Sequence, residues 1–206
     1  MSASNPTVPF ARLLSRLESL SRLAVWVGGA LTLACVFLIS FDVLARKFFS
    51  VTVGGSDEIS GYVFAISTSW SLALVLLQRG NVRVDVLYQH LPTRLAALLD
   101  WLSIVALGVF IGFLTYYASS VAQTSWERQA AANTPLATPL WIPQGLWVLG
   151  LAWMCVVLAL LLIPTTIALV TGDSASVREL CGVRSTQEEA EEEAIAGERL
   201  VRGEAQ

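Results

Sequence analysis

Four stretches without a charged side chain dominate this sequence: Leu23–Phe41, Ile59–Gln78, Trp101–Trp126 and Gln129–Gly172, of 19, 20, 26 and 44 residues. Each supplies the roughly 20 apolar residues that carry a helix across a hydrocarbon core of about 30 Å. Charged residues make up 14% of the 206, against about a quarter in an average soluble domain, so the polar surface a soluble enzyme needs is missing. The fold class read from this pattern is all-α: an integral membrane protein with four transmembrane helices.

The organisation follows from where the charges and breakers fall. Residues 1–22 form an N-terminal segment in which Phe10, Leu13, Leu14, Leu17 and Leu20 recur at three- and four-residue steps, with Arg12, Arg16 and Arg22 on the other side. That two-faced basic pattern predicts an amphipathic helix lying on the membrane surface, with the wet first turns of span 1 as the alternative. No removable signal peptide is recognisable before it. The membrane domain covers 23–170, with spans at about 23–45, 59–78, 95–122 and 146–170. Gly28-Gly29-Ala30 would let another helix approach span 1 closely. Ser56-Asp57-Glu58 reads as a helix start, with a capping serine followed by carboxylates at the positive end of the helix dipole. Pro135, Pro139 and Pro143 break the third loop, and Pro164 predicts a kink or a shortening of span 4.

Ten of the thirteen Lys and Arg residues fall in the N-terminal segment, the second loop and the tail; the first and third loops hold three. The positive-inside tendency therefore predicts both termini in the cytoplasm and the loops at 46–58 and 123–145 on the opposite face. Residues 171–206 are an acidic cytoplasmic tail with nine acids against four arginines, either a solvated helix or an unfolded segment. The chain lacks a basic stripe for nucleic acid.

Little in the sequence can carry chemistry. Cys35, Cys155 and Cys181 show no paired spacing, and His90 is the only histidine, which argues against a metal or haem site. Ionisable residues inside a membrane are the usual sign of function. Here Asp42 stands one turn from Arg46 as a boundary ion pair, Asp57 and Glu58 open span 2, and Asp100 is read as a first-turn carboxylate of span 3. Ser67 and Ser71 lie one turn apart on span 2, able to bond a neighbouring helix or their own carbonyls.

Four motifs in order go further: Phe41-Asp42-Val43-Leu44-Ala45-Arg46; Asp57-Glu58-Ile59-Ser60-Gly61-Tyr62; the hairpin Arg79-Gly80-Asn81-Val82-Arg83-Val84-Asp85-Val86-Leu87 ending in Leu91-Pro92; and Thr134-Pro135-Leu136-Ala137-Thr138-Pro139-Leu140-Trp141-Ile142-Pro143. Over about residues 20–170 they resemble the small permease, or Q-type, subunit of tripartite ATP-independent periplasmic (TRAP) transporters. That family commonly has histidine after the hairpin glycine, where this chain has Asn81.

The resemblance implies a non-enzymatic subunit of the bacterial inner membrane, without a cofactor of its own. It would scaffold a large permease subunit that carries organic anions with sodium, and help dock a periplasmic solute-binding protein; membrane lipid is its other partner. The polar residues assigned to partner contact or structure are Asp42, Arg46, Asp57, Glu58, Glu127 and Arg128, with Arg46 and Glu58 foremost, paired with each other or with a partner. Gly80, Asn81, Arg83, Asp85 and Pro92 would shape the cytoplasmic hairpin. The rival reading is a self-sufficient four-span exporter acting as a dimer, which needs a proton-exchanging acid in the membrane; only Asp42 is a candidate.

Overall fold

A computed structural model describes residues 8–52, 54–79, 92–173, 177, 194, 195 and 197. Among them four helices are long and apolar enough to cross a membrane: α1 (Val8–Phe49), α2 (Ser56–Leu77), α3 (Thr93–Glu127) and α4 (Trp141–Val170). Most of the expected hairpin and the acidic tail lie outside the described residues.

Each helix exceeds its predicted span for a local reason. α1 runs unbroken through 42 residues, about 63 Å at 1.5 Å per residue, so it must project well beyond a core of about 30 Å. The amphipathic N-terminal stretch is thus the first turns of α1 and not a separate element. Arg46 and Lys47 occupy its last turn, where cations oppose the negative end of the helix dipole. α4 starts at Trp141 because Pro143 falls in its first turn, where a missing N–H breaks no helical bond. Pro164 does not shorten α4, which continues to Val170.

Two expectations about caps fail. The N-cap of α2 is Gly55, at φ 93°, not Ser56; the serine side chain is turned elsewhere. Asp100 is the eighth residue of α3, beyond the first turn over which the dipole acts, and it is buried.

The helices pack in the order α1, α2, α4, α3, an open row and not a closed bundle. Its core lies where α4 meets α2 and α3, with Ala73 and Leu76 of α2, Ile104 and Ile111 of α3, and Met154, Val157, Leu158 and Leu161 of α4. Lipid tails are as apolar as leucine, so association inside a membrane rests on close fit and interhelical hydrogen bonds. Both contacts of α2 use a glycine for this. A Cβ on Gly28 would stand 3.1 Å from that of Ser67, and the Ser67 hydroxyl donates to the Gly28 carbonyl at 3.1 Å. Ser71 instead bonds back within α2, to the Thr68 carbonyl. On the other side Gly150 of α4 lies against Ser69 and Trp70, and the Trp70 indole donates to the Leu146 carbonyl at 3.0 Å. Two further indoles tie the row together: Trp101 to Thr166 Oγ1 at 2.9 Å, between α3 and α4, and Trp153 to Ser21 Oγ at 3.0 Å, between α4 and α1.

Candidate functional site

The polar side chains converge at one end of the row, where α1 hands over to α2 and α3 to α4. Asp42 is 1% exposed, four residues before Arg46, the first of the two cations in the last turn of α1. It accepts from Arg46, one helical turn on, from Thr52 Oγ1 at 3.0 Å and from Ser56 Oγ at 3.3 Å. The chain can fold back onto it because Ser50 takes φ 54° as α1 ends and Gly55 takes φ 93° as α2 begins. This explains the missing side-chain cap on α2: the Ser56 hydroxyl is spent on the carboxylate of the preceding helix. Asp42 therefore holds the turn between α1 and α2, at the end of the span and surrounded by donors.

Glu58, in the first turn of α2, reaches the other way. Tyr62, four residues on, donates its hydroxyl to Oε1 at 2.7 Å, and Thr134 donates to Oε2. Thr138 also bonds this carboxylate. The α3–α4 connection is accordingly anchored on α2. It is built as a small hairpin: Ala131 and Pro139 form an antiparallel bridge, and Ala132 N donates to Thr138 O at 2.9 Å and Leu140 N to Ala130 O at 3.0 Å. Ala137, at φ 46°, closes its tip. Trp126 and Trp141 meet edge to face at its base, with centroids 4.6 Å apart.

The tip is seated on the first turn. Pro135 lies over Gly54, and Leu136 so close to Gly55 that a Cβ there would overlap it. Gly55 thus meets two demands at once, a positive φ and room for Leu136.

The structure separates the sequence candidates. Asp42 with Arg46, and Glu58 by itself, are at the site, but Arg46 and Glu58 do not pair: one takes Asp42 and the other takes hydroxyls. Asp57 is exposed and lends only its carbonyl, to Ser60. Glu127 accepts from Gln123 Nε2 at 2.9 Å, and Arg128 is the exposed C-cap of α3. Pro92 is the N-cap of α3, whereas Gly80, Asn81, Arg83 and Asp85 lie outside the described residues. Residue reading missed Thr52, Tyr62, Thr134 and Thr138 as ligands of the two acids. Tyr62 had a signal, the four-residue step from Glu58; the threonines had none, being ordinary loop residues.

Among the described residues no group of three His, Cys, Asp or Glu side chains could hold a metal ion. The arrangement ties loops together, and it pairs no nucleophile with a base. Replacing Glu58 by alanine is expected to release the hairpin, speeding amide exchange of Ala132 and Leu140 by roughly tenfold, as local opening of a loop anchor does. Hydrogen exchange read by mass spectrometry checks this, with the amides of α4 as the unchanged reference. Arg46→Glu should not restore the anchor.

The family model described as "Tripartite ATP-independent periplasmic transporters, DctQ component" matches residues 35–166. The match runs from mid-α1 to the last turns of α4 and includes every residue of this site. Comparison with curated proteins and with solved structures gives no match.

Proposed function

The chain belongs to the DctQ-component family of tripartite ATP-independent periplasmic transporters, and on that premise we propose that it is the subunit that scaffolds the large permease and presents a docking platform to the solute-binding protein. It is a multi-pass membrane component of a transporter and not an enzyme. In this reading it sits in the inner membrane with both termini in the cytoplasm, so that the anchored loops face the periplasm. Sodium and the organic anion are handled by the large subunit.

The observation that carries the proposal is the open row. α1 and α3 are its outer helices, and each keeps large apolar side chains uncovered: Phe37, Phe41 and Phe48 on α1, Phe110, Phe113 and Tyr117 on α3. A row with two such edges has no interior in which to enclose a solute, but it offers long surfaces for a larger membrane partner. Secondary transporters build their sites from broken helices and repeats, whereas each spanning helix here is continuous. The platform made from residues 50–52, Gly54-Gly55 and the 128–140 hairpin is tied by the bonds of Asp42 and Glu58, and in this orientation it stands at the membrane surface, which suits a water-soluble partner.

Co-expression with the large subunit and the solute-binding protein tests this. The large subunit should co-purify with the wild-type chain, and Glu58→Lys, which breaks the anchor of the α3–α4 hairpin, should reduce uptake by roughly tenfold or more, as loss of a hydrogen-bonded charge at an interface does, while Glu189→Lys in the tail leaves it unchanged. Failure of the large subunit to co-purify, together with transport by this chain alone in vesicles, would overturn the proposal.

A further inference from the structure

Between α1, α2 and the start of α4 runs an apolar groove of about 290 Å³, walled by Leu23, Ala24, Val27 and Leu31 of α1 and by Ile66 and Trp70 of α2. Gly28 and Ser67 bring α1 and α2 into close contact there, and their small size leaves the flanking space unfilled. The α1 side spans Leu20 to Leu31, roughly 16 Å along the helix. A groove of that length with an apolar lining fits one hydrocarbon chain laid along it. Most of it lies within the charge-free stretch of α1, at a depth where water is not the competing occupant.

Beyond Leu20 the same helix carries charge. Arg16 lies four residues before Leu20 and seven before Leu23, which places it between their directions, at the edge of the apolar face and not opposite Leu20, one turn further out, with Arg12 a turn beyond. Both are exposed, and among the described residues neither takes a carboxylate. Arg22, which falls on the opposite face, is paired with Glu18 at 2.8 Å. Of the three arginines in this N-terminal stretch, the two without a carboxylate among the described residues are thus those on the side of the groove.

We propose that this groove is a binding site for one anionic phospholipid, an acyl chain between α1 and α2 and the headgroup phosphate on Arg16 and Arg12. Charge complementarity selects the headgroup, and the length and apolar lining of the groove select the chain. The site stands in whichever leaflet the N-terminus faces. It is independent of the scaffold reading, since it uses only this chain.

Native mass spectrometry of the full-length protein in detergent, incubated with equal amounts of phosphatidylglycerol and phosphatidylcholine of identical acyl chains, tests it. One phosphatidylglycerol should be retained in preference to phosphatidylcholine. The double variant Arg12→Gln/Arg16→Gln should lower that preference by about 25-fold, from the roughly fivefold that each surface arginine contributes, and Arg128→Gln should leave it unchanged. Ala24→Phe, which fills the groove, should lower retention of both lipids, with circular dichroism confirming the fold. Equal retention of the two lipids by the wild type, or unaltered preference in the double variant, overturns the proposal. So does Ala24→Phe sparing lipid retention while blocking co-purification of the large subunit, which would assign the groove to a protein partner.

Discussion

Alanine at position 150 is expected to lower the stability of the isolated protein by about 2 kcal/mol, within the range for overpacking a tight contact, and leucine by more. The new Cβ would stand 2.9 Å from both Ser69 Cβ and Trp70 Cδ1, closer than non-bonded carbons come. Ser69 is buried and the Trp70 indole is held by the Leu146 carbonyl, so neither can swing aside without losing a bond. The contact between α2 and α4 joins the two halves of the row, so the damage should appear as a lower thermal midpoint in detergent. Gly61, also within α2, meets nothing within 4 Å. Gly61→Ala should be neutral or stabilising by up to about 1 kcal/mol, the gain in helix propensity. If the two alanine variants melt together, the close approach at Gly150 is not what holds α2 to α4.

The second large effect is expected at Asp42, and the choice of substitution separates two explanations. Leucine removes the acceptor shared by Thr52, Ser56 and Arg46, leaving the buried Ser56 hydroxyl without it, which should destabilise the chain by about 2 kcal/mol. Arg46 is 60% exposed on its side chain and can return to water, which keeps the loss below that of a fully buried ion pair. Asparagine keeps the shape; its Oδ1 can accept from one of the two hydroxyls, which bond different carboxylate oxygens, and its Nδ2 can donate to the other, so Asp42→Asn should retain most of the stability and most of the uptake by the assembled system. A proton-exchanging carrier would behave oppositely, losing transport with asparagine however well the protein folds. Uptake and thermal stability measured on the same two variants decide between a tether and a carrier.

Much of the fold was legible in the residues. Hydropathy located four helices because the penalty for burying an unpaired charge in hydrocarbon is local, paid residue by residue along the chain. The Asp42–Arg46 pair was legible for a similar reason: a four-residue step on a helix fixes neighbours without reference to the rest of the molecule. The same local reading misplaced Ser56, assigning it to its own helix when its hydroxyl serves Asp42, fourteen residues back. It misjudged Asp100 by taking nearness to the start of the span for a place in its first turn, whereas the residue is the eighth of α3 and buried. It also offered Arg46 as a partner for Glu58 on charge alone, whereas the carboxylate found hydroxyls that charge counting does not register.

By itself, then, the sequence determined that the chain is a set of four membrane-crossing helices with its charges confined to their ends, and its ordered motifs pointed to the family. The tertiary structure alone decided that α4 lies between α2 and α3 in an open row, that Thr134 reaches Glu58 across 76 positions of chain, and that a groove opens beside Gly28 in line with Arg16. The physical reason is range. Transfer from water to lipid and the helical repeat act within a few residues, while adjacency between helices depends on which small side chains let two surfaces meet, and no single segment carries that information.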